Sequence, residues 1–188
     1  DRVTKYPLEL ADIAIVNMGS MNIGSIVFRS SRDYIVSATE YMQKIGVKPE
    51  IAVYDLNMID YANELLIETG LLKKPYFFNI AIGIHNAIPP RLENVRLMVD
   101  YLKERVPEAT WMVTAGGRNW IPILTEAILL GGNVRVGMED NVYIYPWSDE
   151  LIKDCGQLTA KMVTIANTIG REIATPHEVR RMLGLKNR

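Results

Sequence analysis

The chain has 188 residues, 48% of them apolar, enough to bury a core and compatible with one domain over 1–188. Lys and Arg number 21 against 22 Asp and Glu, a formal net charge of −1, so bulk electrostatics give no reason to expect nucleic acid or an anionic membrane as partner. Its single cysteine, Cys155, excludes an intramolecular disulfide, and no apolar run approaches the ~20 residues that span a bilayer, so a reducing, cytoplasmic setting is expected.

The start, DRVTKYPLEL, has neither the apolar run nor the cleavage site of a signal peptide. It does not begin with methionine and enters a strand almost at once, from which missing N-terminal units are expected. The first predicted strand is ADIAIVNMG (11–19). Asn17 and Ser20 fall where it ends, and Gly19 lets a ligand approach the backbone, so these three are candidate substrate contacts; an ordinary turn is the plain alternative. A helix is predicted from Asp33 to Ile45, stopped by Gly46.

PEIAVYD (49–55) and YFFNIAIGI (76–84) are the next strands. Between and after them lie segments of helical period, most clearly RLENVRLMVDYLKERV, with Leu92, Val95, Val99, Leu102 and Val106 on one face. WMVTAG (111–116) is the fourth strand, followed by Gly116, Gly117 and Arg118. Gly131 and Gly132 close a helix rather than cradle a phosphate, because they precede a strand. That strand is NVRVGMED (133–140). Leu151, Cys155, Leu158, Met162, Ile165 and Ile169 then form one apolar stripe, and TPHE opens a last helix with a capping box from Thr175 to Glu178. The three tryptophans, Trp111, Trp120 and Trp147, are assigned mostly to the core.

Strict strand–helix alternation predicts parallel strands covered by helices. Within strands, Ile51 and Val53 oppose Glu50, Ala52 and Tyr54; Phe78, Ile80 and Ile82 oppose Asn79, Ala81 and Gly83; Val134, Val136 and Met138 oppose Arg135, Gly137 and Glu139. One face is apolar and the other polar or small. A doubly wound sheet buries both faces, whereas a barrel turns one face inward, so the reading is an α/β (β/α)8 TIM barrel. Five strands are visible, the last five βα units of the eight such a barrel needs. Barrel sites lie at the C-terminal ends of the strands, where Arg135, Glu139 and Asp140 cluster. A structural ion pair inside the barrel is the bland reading of that cluster.

GGNVRVGMEDN (131–141), a helix, and then GREIATPHEVRRMLGL resemble the β-keto acid cleavage enzymes, the family of 3-keto-5-aminohexanoate cleavage enzyme. RVGMEDN is the specific part. NMGSMN, KPEIAVYD, the AGGRN turn and GREIATP are compatible with it, so the resemblance runs along essentially the whole chain. It implies a zinc-dependent barrel that turns a β-keto acid and acetyl-CoA into acetoacetate and a new CoA thioester, commonly as a homo-oligomer. It further implies that Arg135 and Asp140 are catalytic and that Glu139 is a zinc ligand. Asp140 would be the general base on the α-carbon, and Arg135 would hold it or neutralise developing negative charge. From their place after the fourth strand, Gly116 and Arg118 are candidate substrate contacts, with Arg118 suited to a phosphate or carboxylate of the CoA partner; a glycine turn followed by a surface arginine is the equal alternative.

The chain departs from the family pattern twice. The family's other zinc ligands are a His-x-His pair, and the two histidines here, His85 and His177, are far apart in sequence; the remaining zinc ligands are expected outside this chain. Relatives often carry a carboxylate where this chain has Ala52, which favours a neutral β-keto acid over a cationic one. Two other readings stay open: a truncated, non-catalytic barrel subunit, and another metal-dependent aldolase-type barrel enzyme.

Overall fold

The structure is a computed structural model that describes residues 8–186. After a single helical turn at Leu8–Leu10, strand β1 (Ile13–Asn17) leads into an antiparallel hairpin of β2 (Met21–Ile23) and β3 (Ile26–Phe28). The order continues as α1 (Arg32–Ile45), β4 (Lys48–Val53) and α2 (Leu56–Ala62), which runs on as a π-helical turn over Asn63–Ile67. Then come β5 (Phe77–Ile82), α3 (Leu92–Arg105), β6 (Thr110–Ala115) and α4 (Trp120–Leu129). Last are β7 (Asn133–Arg135), α5 (Cys155–Thr168) and α6 (Pro176–Leu183).

Helix ends have local causes. Ser31, Asp55 and Asp154 each accept a backbone N–H from the first turn of α1, α2 and α5. Thr175 and Glu178 form the expected capping box of α6. Gly46 and Gly184 end α1 and α6 in the left-handed conformation, at φ of 78° and 65°.

Among the described residues, β1, β4, β5, β6 and β7 form one wholly parallel sheet in that order. The order never reverses. Right-handed crossovers in a sheet that grows in one direction place every connecting helix on the same face. Ile51, Val53, Phe78, Ile80, Ile82 and Val113 accordingly lie fully buried under the helices. The opposite face carries Glu50, Ala52, Asn79, Ala81, Thr114 and Arg135, as the alternation predicts, and no layer of helices covers it. Among the described residues its N-terminal rim is capped: Leu183 of α6 packs on Phe77 and Met112, and Arg180 pairs with Asp12.

Three expectations are corrected, and one element is added. The fifth strand does not run to Asp140: β7 ends at Arg135, and the chain turns through Met138–Asp140, because Gly137 accepts from the N–H groups of Asp140 and Asn141 in place of a neighbouring strand. The β2–β3 hairpin was not anticipated, since its two strands are three residues each and leave Ile26 and Val27 exposed. Leu151 lies outside α5, in an isolated bridge with Tyr143. Trp111 and Trp120 are buried, but Trp147 is 93% exposed at the tip of the segment between β7 and α5.

Candidate functional site

At the C-terminal edge of the uncovered face, three strand ends and their turns converge. From β7, the Arg135 guanidinium pairs with Glu139 and lies 3.5 Å from Asp140 Oδ2. The two carboxylates differ sharply in setting: the Asp140 side chain is 10% exposed and that of Glu139 68%. Asp140 Oδ2 is buried without a hydrogen bond, and burial holds this carboxyl above the usual aspartate range while Arg135 pulls it down. The Asp140 backbone is fixed from β6, where the Gly117 N–H donates to its carbonyl at 3.0 Å.

Beneath Arg135 runs a buried polar chain that sequence reasoning did not single out as a site. Thr114 Oγ1 donates to Asn79 Oδ1 at 2.8 Å, and Asn79 Nδ2 donates to Glu50 Oε1 at 2.7 Å. Burial raises the Glu50 carboxyl, with the bond from Asn79 and the charge of Arg135 acting in the opposite sense. Ala52 and Ala81 sit beside it on the same face, both buried. The alternation of polar and apolar residues was the signal for this face; its connectivity depends on strand register, which no local pattern reveals.

On the β1 side, Asn17 Oδ1 accepts from the Tyr54 hydroxyl at 2.6 Å. The buried Ser30 ties down the same corner: its hydroxyl donates to the Asn17 carbonyl at 2.7 Å, and its N–H donates to Ser20 Oγ at 2.9 Å. Gly19 adopts φ of 153°, with Met58 close to where a side chain would stand. Asn17, Gly19 and Ser20 are thus together in one turn, tied to Ser30. Gly116 is packed against Gly83, where a Cβ would come 2.6 Å from the Gly83 carbonyl oxygen. Arg118 faces elsewhere: it donates to the Ser148 carbonyl at 2.7 Å, pairs with Asp149 at 2.6 Å and stacks on Tyr143 at 3.5 Å.

The model for beta-keto acid cleavage enzymes matches residues 1–185. The chain belongs to that family. Two 3-keto-5-aminohexanoate cleavage enzymes are similar: that of Acetoanaerobium sticklandii is 36% identical over 93% of this chain and 62% of its own length, and that of Fusobacterium nucleatum 37% identical over 96% and 64%. The 3-dehydrocarnitine:acetyl-CoA trimethylamine transferase of Rhizobium meliloti is 32% identical over 100% and 61%. This β-keto acid cleavage family chain therefore spans less than two thirds of the length of these curated relatives. Among solved structures, ObcA with oxaloacetate superposes at a TM-score of 0.78 and 16% identity, over 94% of this chain and 46% of that one, which shows a shared fold.

A catalytic zinc takes about three protein ligands. Among the described residues no group of three His, Cys, Asp or Glu is placed to hold a metal. Glu139 is engaged by Arg135, and His85 and His177 are exposed. The described residues of this family member do not by themselves fit zinc.

Proposed function

We propose that this chain forms the C-terminal five βα units of a (β/α)8 barrel that converts a β-keto acid and acetyl-CoA into acetoacetate and a new CoA thioester. The observation that carries the reading is the Arg135–Asp140–Glu139 cluster at the C-terminal edge of an uncovered sheet face, in a member of the β-keto acid cleavage family. The name of the Rhizobium relative, which includes acetyl-CoA as acceptor, supports the co-substrate.

Barrel closure is supported by the sheet itself. A cleft of about 750 Å³ runs along the open edge of β7, with Phe77 and Met112 of the polar-side lower layer on one flank and Met162 and Ala166 of α5 on the other. A further strand paired with β7 would bury one side-chain row against each flank. About three more βα units complete such a barrel.

In the reaction, Asp140 removes a proton from the α-carbon of the β-keto acid. The resulting carbanion attacks the thioester carbonyl of acetyl-CoA and expels the CoA thiolate; the thiolate adds to the original ketone carbonyl, and retro-Claisen cleavage leaves that acyl group on CoA and releases the acetoacetate carbanion, which takes back the proton from Asp140. Arg135 holds Asp140 in place, pulls its carboxyl towards the ionised form against the effect of burial, and faces the oxyanion charge as it develops. Asn17, Gly19 and Ser20 contact the β-keto acid, and Gly116, whose missing side chain makes way for the Gly83 backbone, contributes through its own backbone. Arg118 serves the CoA side only by releasing Asp149. Ala52 leaves this strand position without a carboxylate, which favours a neutral substrate side chain. Glu139, which would be a ligand to zinc, is paired with Arg135, and the described residues around it do not complete a metal site.

The test is acyl exchange by the protein carrying this chain, with and without acetyl-CoA, in wild type and Asp140→Asn. The proposal expects strict dependence on acetyl-CoA and a loss of about 10²–10⁴-fold in the variant. Turnover that ignores acetyl-CoA points to an aldolase-type reaction instead.

A further inference from the structure

Tyr54 stands at the C-terminal end of β4, on the same face as Glu50 and Ala52. Its hydroxyl donates to Asn17 Oδ1 at 2.6 Å, across from β4 to the end of β1. That bond fixes which way the Asn17 carboxamide faces. An amide has one oxygen and one NH2 group; once the oxygen is spent on Tyr54, the NH2 must point the other way. No described residue accepts a hydrogen bond from Asn17 Nδ2, whereas the Asn17 backbone is anchored separately by Ser30. The side chain is therefore held at both its backbone and its oxygen, with a donor left over.

The surroundings tell which partner suits that donor. Burial, with Asp140 and Glu50 close by, keeps Tyr54 protonated and so a donor, although Arg135 acts in the opposite sense. Arg135 ends β7 and the Tyr54–Asn17 pair ends β4 and β1, all at the C-terminal edge of the sheet, and the charges of Arg135 and Asp140 reach Tyr54. A ligand that takes up the free Asn17 N–H has to present an acceptor oxygen.

We propose that Tyr54 is a positioning residue that locks the Asn17 carboxamide so that its Nδ2 donates to the carboxylate of the bound β-keto acid. The inference rests on the functional reading above, because it takes the ligand to be a β-keto acid; what it adds is the role of Tyr54 and the direction of the Asn17 contact. Tyr54 itself does not touch the reacting atoms. A carboxylate read by a neutral amide is favoured by charge-assisted hydrogen bonding while Arg135 stays available for the oxyanion.

The experiment uses acetoacetate as probe and the side-chain amide signals of the protein labelled with ¹⁵N-asparagine. The expected results are a shift of the Asn17 NH2 pair on addition of acetoacetate, and a Kd raised about tenfold by Tyr54→Phe, the scale of one hydrogen bond. Tyr54→Phe should add nothing further on an Asn17→Ala background, since both changes remove the same contact. Asn17→Asp is the second variant. It still accepts from Tyr54 and keeps its shape, so a purely structural role leaves binding unchanged; the proposal expects binding to be lost, because a donor becomes a like charge. If acetoacetate moves other signals but not the Asn17 pair, or if Asn17→Asp binds as wild type does, the inference is overturned and the β-keto acid reading stands. If acetoacetate moves no signal at all, the β-keto acid reading falls and the inference falls with it.

Discussion

The backbone N–H of Gly117 donates to the carbonyl of Asp140 at 3.0 Å, so the turn after β6 holds the turn that carries the buried carboxylate. Gly117 reaches this position at φ of 79°, with open space around the Cβ a larger residue would add. Gly116 differs: its own Cβ would strike the Gly83 carbonyl. The two glycines are thus required for different reasons. Gly117→Ala should cost about 1–2 kcal/mol, the scale of left-handed strain. Gly116→Ala should cost more, because backbone has to move. Urea unfolding of both variants checks the order, and equal costs would contradict it.

Thr114→Val removes the donor at one end of the Thr114–Asn79–Glu50 chain while keeping the side-chain shape. Asn79 Oδ1 then loses its partner in a place where Asn79 is 2% exposed. A loss of about 1–3 kcal/mol in unfolding free energy is expected, with Thr114→Ser close to wild type. A Val variant as stable as the Ser variant would show that the chain contributes little.

Glu50 sets a pH dependence. Its folded-state pKa lies above the ordinary glutamate value of 4.5, so the folded chain holds this proton more tightly than the unfolded chain does. The associated stability is present below that ordinary value and is lost as pH rises through the raised folded value. The groups facing it are Asn79 from β5, Arg135 from β7 and Tyr54 on its own strand. Glu50→Gln keeps an oxygen for Asn79 and mimics the protonated form. The variant should therefore exceed wild type in stability at neutral pH, with the gap closing towards about pH 4. Chemical denaturation across that range reads it directly, and a variant less stable than wild type at neutral pH runs against the account.

Arg135→Met deletes the cation that serves both Glu139 and Asp140. If the guanidinium faces charge that develops during reaction, kcat for acyl exchange should fall about 10²–10³-fold. Arg135→Lys should recover little of it, because a single ammonium cannot match a planar fork reaching two carboxylates. Steady-state kinetics distinguish this from a binding role, which would raise KM and leave kcat in place.

Much of the architecture was legible because parallel strands and amphipathic helices write their periods into the chain. The alternation in PEIAVYD and YFFNIAIGI separated the helix-covered face from the polar one, and Gly46 and Thr175 marked helix ends where they occur. Asn17, Gly19 and Ser20 do share one turn, and Arg135 does meet Glu139 and Asp140. What stayed hidden depends on distance in sequence. Tyr54 meets Asn17 across 37 residues and Thr114 meets Asn79 across 35, and neither pairing leaves a local signature. Trp147 misled for another reason: a large aromatic is normally buried, but this one lies in a segment held to itself by the bridge between Tyr143 and Leu151.

The central claim is that the buried Asp140 beside Arg135 performs acyl exchange between a β-keto acid and acetyl-CoA. The most direct measurement is acetoacetate formation by the protein carrying this chain from a panel of neutral β-keto acids with acetyl-CoA, in wild type and Asp140→Asn. The account predicts acetoacetate with at least one substrate, none without acetyl-CoA, and a loss of about 10²–10⁴-fold in the variant. Undiminished turnover by a folded Asp140→Asn protein would contradict it.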